Sequence, residues 1–134
     1  MILQFGGRIL SVGALVLGTA ACGSSQDQPV RDVTERFYAA VAQRDGQTAC
    51  RLLAPETLGE LEQSAHRPCP QALLDEGLPP ARGPGGVRAF GTMAQVRYPS
   101  ETVFLSRFSD GWKVMAAGCT PAAAERYDCR VKGG

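Results

Sequence analysis

Beyond residue 28 the chain alternates hydrophobic and polar positions with two different periods, helical in the first half and two-residue in the second. Val33, Phe37, Ala40 and Val41 recur at helical spacing, while Arg31, Asp32, Glu35, Arg36 and Arg44 take the opposite face. Pro29 suits the first turn of this helix, and Asp27 stands close enough to cap it. Asp45-Gly46 interrupts the helix, and Asp45 is placed to N-cap a second one over residues 47–53. A third helix opens at Ala54-Pro55-Glu56 with Leu58 and Leu61 inward. Pro68 and Pro70 end it, and a short fourth helix over 71–76 stops at Gly77.

Residues 78–86 form a proline-glycine loop, and beyond it the period becomes two. Ala94, Val96 and Tyr98 alternate with Gln95 and Arg97. Pro99-Ser100 turns the chain, and 102–108 reads as the next strand. Ser109-Asp110-Gly111 is a hairpin signal, after which Trp112, Val114 and Ala116 alternate with Lys113, Met115 and Ala117. Short strands are also expected at 87–90 and 128–132. Helices followed by an antiparallel meander define an α+β domain, with the helices on one face of the sheet.

The first 21 residues follow neither pattern. Arg8 provides a short positive region, residues 9–17 are apolar, and Gly18-Thr19-Ala20-Ala21 is a run of small residues. The stretch from Arg8 to Cys22, residues 9–21, is about 13 residues long, short of the ~20 that cross a bilayer as a helix. A removable secretory leader is expected. Its end, Thr19-Ala20-Ala21-Cys22 followed by Gly23-Ser24-Ser25, resembles the lipobox of bacterial lipoproteins, although Thr19 stands where that family usually carries an aliphatic residue. The resemblance implies that Cys22 becomes the first mature residue and carries a diacylglycerol thioether, often with an N-acyl chain. Two or more acyl chains anchor stably, where one is marginal. The expected organisation is a signal peptide over 1–21, a lipidated cysteine and flexible tether over 22–28, and one domain over 29–134 on the outer face of the cell membrane.

Loss of Arg8 with the leader cancels the formal charge of +1 and leaves a neutral domain. That excludes nucleic acid as a partner and argues against whole-domain adhesion to anionic lipid. Without Cys22 four cysteines remain, Cys50, Cys69, Cys119 and Cys129. An even number in an exported domain reads as a disulfide framework with three possible connectivities. Proximity in the chain favours Cys50–Cys69 and Cys119–Cys129, each adding about 3 kcal/mol by constraining the unfolded chain. Zinc is the competing use, with His66 and Cys69 the nearest approach to a ligand pair, but no Cys-x-x-Cys pair exists and no metal or other cofactor is expected.

Two stretches carry a second resemblance. Residues 37–46, Phe-Tyr-Ala-Ala-Val-Ala-Gln-Arg-Asp-Gly, and 49–55, Ala-Cys-Arg-Leu-Leu-Ala-Pro, resemble the opening of nuclear-transport-factor-2-like domains. Residues 104–108 and 110–114, with Trp112 after the turn, look like the last long hairpin of those domains. The whole mature region is similar to a group of small actinobacterial lipoproteins of unknown function. This resemblance implies helices wrapped on a curved antiparallel sheet around a cone-shaped pocket. Phe37, Tyr38, Val41, Tyr98, Phe104 and Trp112 are the candidates to line such a pocket, with ordinary core packing the competing and commoner reading. The fold hosts isomerases and cyclases as well as non-catalytic domains, so it does not assign an activity. In the isomerases a tyrosine on the first helix works with acids on the sheet, and the inward sheet positions expected here carry no carboxylate.

Candidate chemistry is sparse. His66 is the only histidine and lies in a polar stretch, where solvation explains it better than general-base catalysis. A serine triad would need that same histidine and a Gly-x-Ser-x-Gly elbow, which the chain lacks. Glu56, Glu60 and Glu62 are read as the wet face of a helix. The expected function is a non-enzymatic binding module for an envelope protein or a small apolar ligand. An isomerase- or cyclase-type enzyme and a purely structural envelope protein are the alternatives.

Overall fold

A computed structural model describes residues 25–133. Four helices, α1 (Asp27–Ala42), α2 (Gly46–Arg51), α3 (Pro55–Ala65) and α4 (Cys69–Asp75), precede five strands. The strands are β1 (Gly86–Phe90), β2 (Met93–Arg97), β3 (Thr102–Phe108), β4 (Gly111–Pro121) and β5 (Tyr127–Lys132), and they pair antiparallel in chain order. The domain is α+β, as the change of period predicts.

Helix α1 starts earlier than expected, so residues 27 and 28 belong to the helix and not to the tether. Val30 N–H donates to the Gln26 carbonyl at 3.1 Å, which places Pro29 in the first turn, where a missing donor costs nothing. Asp27 is therefore the first helical residue and not the cap; Gln26 occupies the cap position without a capping side-chain bond. The buried stripe is Val30, Thr34, Phe37, Tyr38 and Ala40, with Val33 and Val41 at its margin. Thr34 lies in that stripe because its hydroxyl donates to the Val30 carbonyl at 2.8 Å.

Arg44 adopts a left-handed backbone (φ 57°) that ends α1, and the Asp45 carboxylate accepts from Thr48 N–H at 3.1 Å to cap α2. Leu52 and Leu53 leave the helix sooner than expected because a strand claims them. Ala54 N–H donates to the Val114 carbonyl, and Val114 N–H to the Leu52 carbonyl, both at 2.8 Å. Thr57 donates its hydroxyl to the Met115 carbonyl at 2.8 Å. This segment covers the half of the β4 edge that β5 does not reach.

The expected disulfides are both present. Cys50–Cys69 joins α2 to the first residue of α4, and Cys119–Cys129 joins directly paired positions of β4 and β5.

In β4 the simple alternation fails. Trp112 and Val114 are buried as expected, but Ala117 and Cys119 take the core positions in place of Ala116. Two register irregularities opposite Thr102–Leu105 place extra residues in β4, and the inward set changes parity once, between Val114 and Ala117. Gly118, at φ 63°, provides the positive φ for the second. Such bulges bend the strand and increase its twist. The core lies between the helices and one sheet face, and Phe37, Leu73, Leu105, Val30, Val96, Val103 and Val114 are among its fully buried side chains. Burying one side chain of this size contributes about 1.5–3 kcal/mol.

Candidate functional site

The site is built where α1 passes the β2–β3 turn. Tyr98 follows β2, and its N–H donates to the Glu101 carbonyl at 2.8 Å, closing a two-residue Pro99-Ser100 loop. Tyr38, one position after the buried Phe37, points its ring at this turn. The Phe37 and Tyr38 rings meet edge-on at 5.4 Å, and those of Tyr38 and Tyr98 at 6.1 Å. Beyond the turn, Glu101 returns its side chain to the interior and is only 5% exposed.

A cleft of about 460 Å³ opens over Tyr38 and Tyr98. One wall is α1, with Arg31, Glu35, Ala39 and Ala42, and the other is the 80–85 loop. The Arg31 guanidinium donates to the Gly85 carbonyl at 2.8 Å and ties that loop to the helix. Gly85 is required for the loop to lie so close: a Cβ there would stand 2.5 Å from Val96 Cγ1 and 2.9 Å from Tyr98 Cε1. A second cleft of about 390 Å³ lies on the other side of Tyr98, between the 97–102 turn and Pro121 and Tyr127. Tyr98 is thus shared by both.

Behind the tyrosine floor, Tyr38 Oη and both Glu101 carboxylate oxygens are buried and complete no hydrogen bond among the described residues. The two groups still perturb each other's ionisation. Burial, and then the Glu101 charge, push the Tyr38 phenol far above the ordinary tyrosine value. Burial also raises Glu101 above its ordinary value. The Tyr38 hydroxyl, the Gly118 amide and the Arg130 guanidinium pull the other way without cancelling the rise. Tyr98 is raised as well, by burial first and by Glu35 second. Buried polar groups without partners are costly, about 1–3 kcal/mol each, and stand out in a protein of this size.

The six side chains expected to line a pocket do not all meet. Tyr38 and Tyr98 floor the large cleft, and Val41 joins Tyr38 at a smaller one of about 70 Å³. Phe37 is fully buried core. Trp112 is buried too, its indole N–H donating to Gln26 Oε1 at 3.1 Å. Phe104 points to the opposite sheet face and packs edge-on against Tyr127 at 5.0 Å, because Val103 and Leu105 on either side take the core. Residues 1–24, including the expected leader and Cys22, lie outside the described residues.

The remaining candidates have local roles. His66 is exposed and ends α3 in a left-handed conformation (φ 53°), and its neighbour Cys69 is bonded to Cys50. Among the described residues no three His, Cys, Asp or Glu side chains gather as a metal site. Glu62 does more than cover a wet face: its carboxylate accepts from Cys69 N–H at 3.0 Å, at the start of α4.

Glu101 is the site residue that the expected inward positions omit. Its signal is present in the chain, since 101, 103 and 105 share one parity and the last two are core valine and leucine. Pro99-Ser100 makes it look like a turn residue. No protein-family model, curated protein or solved structure matches this chain.

Proposed function

We propose that this chain is the outer-face domain of a membrane lipoprotein anchored through Cys22, and that it binds a small, largely apolar ligand in the cleft over Tyr38 and Tyr98. The observation that carries the ligand reading is the cleft itself. Its volume of about 460 Å³ falls within the range of small-molecule sites, and alanine, proline and tyrosine surfaces line it below an Arg31–Glu35 rim. The core behind it is filled by Phe37 and Trp112, so the ligand sits on the tyrosine floor and not inside a cone. Helices packed on one face of a sheet that bulges at β4 are compatible with a nuclear-transport-factor-2-like fold. The proposed binding requires no catalytic step.

N-phenyl-1-naphthylamine, an apolar dye that brightens on burial, tests the reading. Titration into the protein should saturate at one site. Ala39→Trp fills the cleft from an exposed helix position and should weaken binding by at least about tenfold, a change of about 1.4 kcal/mol. Unsaturable fluorescence, or equal binding by the variant, rejects the cleft as the site.

One observation favours a second reading. A tyrosine on the first helix facing a buried acid from the sheet side is the pairing that the isomerase-type alternative asks for, and Tyr38 with Glu101 provides it. In that case the protein should exchange the α-protons of a cyclic ketone into deuterated water, and Glu101→Gln should abolish the exchange. The sealed polar atoms of both groups favour the binding module.

A further inference from the structure

The large exposed hydrophobic side chains gather at one end of the sheet. Phe90 is 61% exposed, Met93 48% and Phe108 37%. Phe90 and Met93 are directly paired across β1 and β2, Met93 is paired with Ser106, and Phe108 follows Ser106 by two residues, so all three project from the same sheet face. The β1–β2 turn is bound to this end of β3, where Arg107 N–H donates to the Thr92 carbonyl at 2.8 Å.

The start of the domain lies at the same end. Arg107 is paired with Trp112, and the Trp112 indole N–H holds Gln26, the residue before α1. Cys22 precedes Gln26 by four residues, which reach ~14 Å at full extension. An acylated Cys22 therefore keeps this end of the sheet near the bilayer surface. Two arginines stand at this end: the Arg88 guanidinium, on the same sheet face as Phe90, lies 5.7 Å from its ring centre, and that of Arg107, on the opposite face, lies 5.9 Å from the Trp112 ring centre. Asp110 is paired with Lys113 at 3.3 Å. The domain is neutral as a whole, but this end presents rings and guanidinium groups together, which suits the boundary between acyl chains and phosphate headgroups.

We propose that the end of the sheet carrying Phe90, Met93 and Phe108, with Arg88 on the same face and Arg107 at the strand end behind it, is a docking surface for a phospholipid membrane. It adds a second attachment to the acyl anchor and fixes the orientation of the domain. The proposal rests on the anchored reading of Cys22, and the test separates the two. Both disulfides and the whole core lie within residues 25–133, so a chain running from residue 22 with Cys22→Ser keeps the fold, as circular dichroism will check.

This unacylated chain should sediment with vesicles of equal phosphatidylglycerol and phosphatidylcholine, and less so at high salt. Phe90→Ser/Met93→Ser/Phe108→Ser alters only exposed positions and should weaken sedimentation by at least about tenfold. Arg88→Glu/Arg107→Glu should weaken it selectively on the anionic vesicles. The proposal is overturned if the chain sediments with no vesicle, or if the triple variant binds as well as the parent. It is also overturned if these residues instead mediate a vesicle-free dimer that the triple variant dissolves. The mass of the native N-terminus reports on the anchor independently. An unacylated native chain whose Cys22→Ser form still sediments removes the anchor but keeps the docking surface.

Discussion

Glu101 shows most directly how one residue's surroundings set its chemistry. In the unfolded chain its carboxyl has the ordinary value of 4.5, and burial raises it in the fold. The folded state thus holds the proton more tightly than the unfolded chain. That contribution is fully present below about pH 4.5 and is lost as pH rises through the raised folded value. Urea midpoints should therefore decline as pH rises above about 4.5, and Glu101→Gln, which cannot ionise, should flatten the decline. A variant with the slope of the parent would show that another group causes it. Tyr38 does not contribute in this window, because its phenol is shifted upward and stays protonated throughout. The parity of Glu101 was legible in the chain. Its partner was not, since nothing near residue 101 specifies which side chain of α1 will pass the turn.

Among the elements, α2 and α4 are joined backbone to backbone. A Cβ on Gly46 would stand 2.8 Å from both the Cα and the carbonyl oxygen of Pro70, which are backbone atoms that cannot swing aside. Gly46→Ala should cost about 1–3 kcal/mol in urea unfolding, through forced separation of the two helices. The Cys50–Cys69 bond crosses the same join, and Cys50→Ala/Cys69→Ala should cost about 3 kcal/mol in the same measurement. If Gly46→Ala unfolds like the parent, the two helices are free to move apart. The helices and turns themselves were readable because their signals are local: Asp45 before α2, Pro55 in the first turn of α3, Gly111 after the hairpin loop. The inward set of β4 was not. Alternation counts residues, and an inserted residue shifts the count without changing hydrophobicity, so Ala117 and Cys119 replaced Ala116 in the core.

At the scale of the molecule the sheet has two unlike ends. Phe90, Met93, Phe108 and the start of α1 gather at one end, and the β2–β3 turn with Tyr98 and Glu101 is at the other. A domain attached through the first end turns its cleft away from the membrane, toward whatever ligand the envelope provides. Attachment itself is tested by fractionation: the native protein should stay with membranes in high salt, and Cys22→Ser should be released from them by it. Mass spectrometry of the mature N-terminus should find acyl chains on Cys22; an unmodified residue there would refute the anchor.

The sequence by itself determined the α+β order, the Asp45 cap of α2 and the Pro55 start of α3, the hairpin turns and both disulfides, because each depends on residues close together in the chain. Short loops made Cys50–Cys69 and Cys119–Cys129 the favoured pairs, and the fold formed both. Only the tertiary structure decided which aromatic rings meet, that Phe104 faces Tyr127 and not Phe37, and that an acid beyond one turn is buried against a tyrosine of the first helix. Those contacts join distant segments. They depend on how every strand and helix packs at once, which no local pattern records.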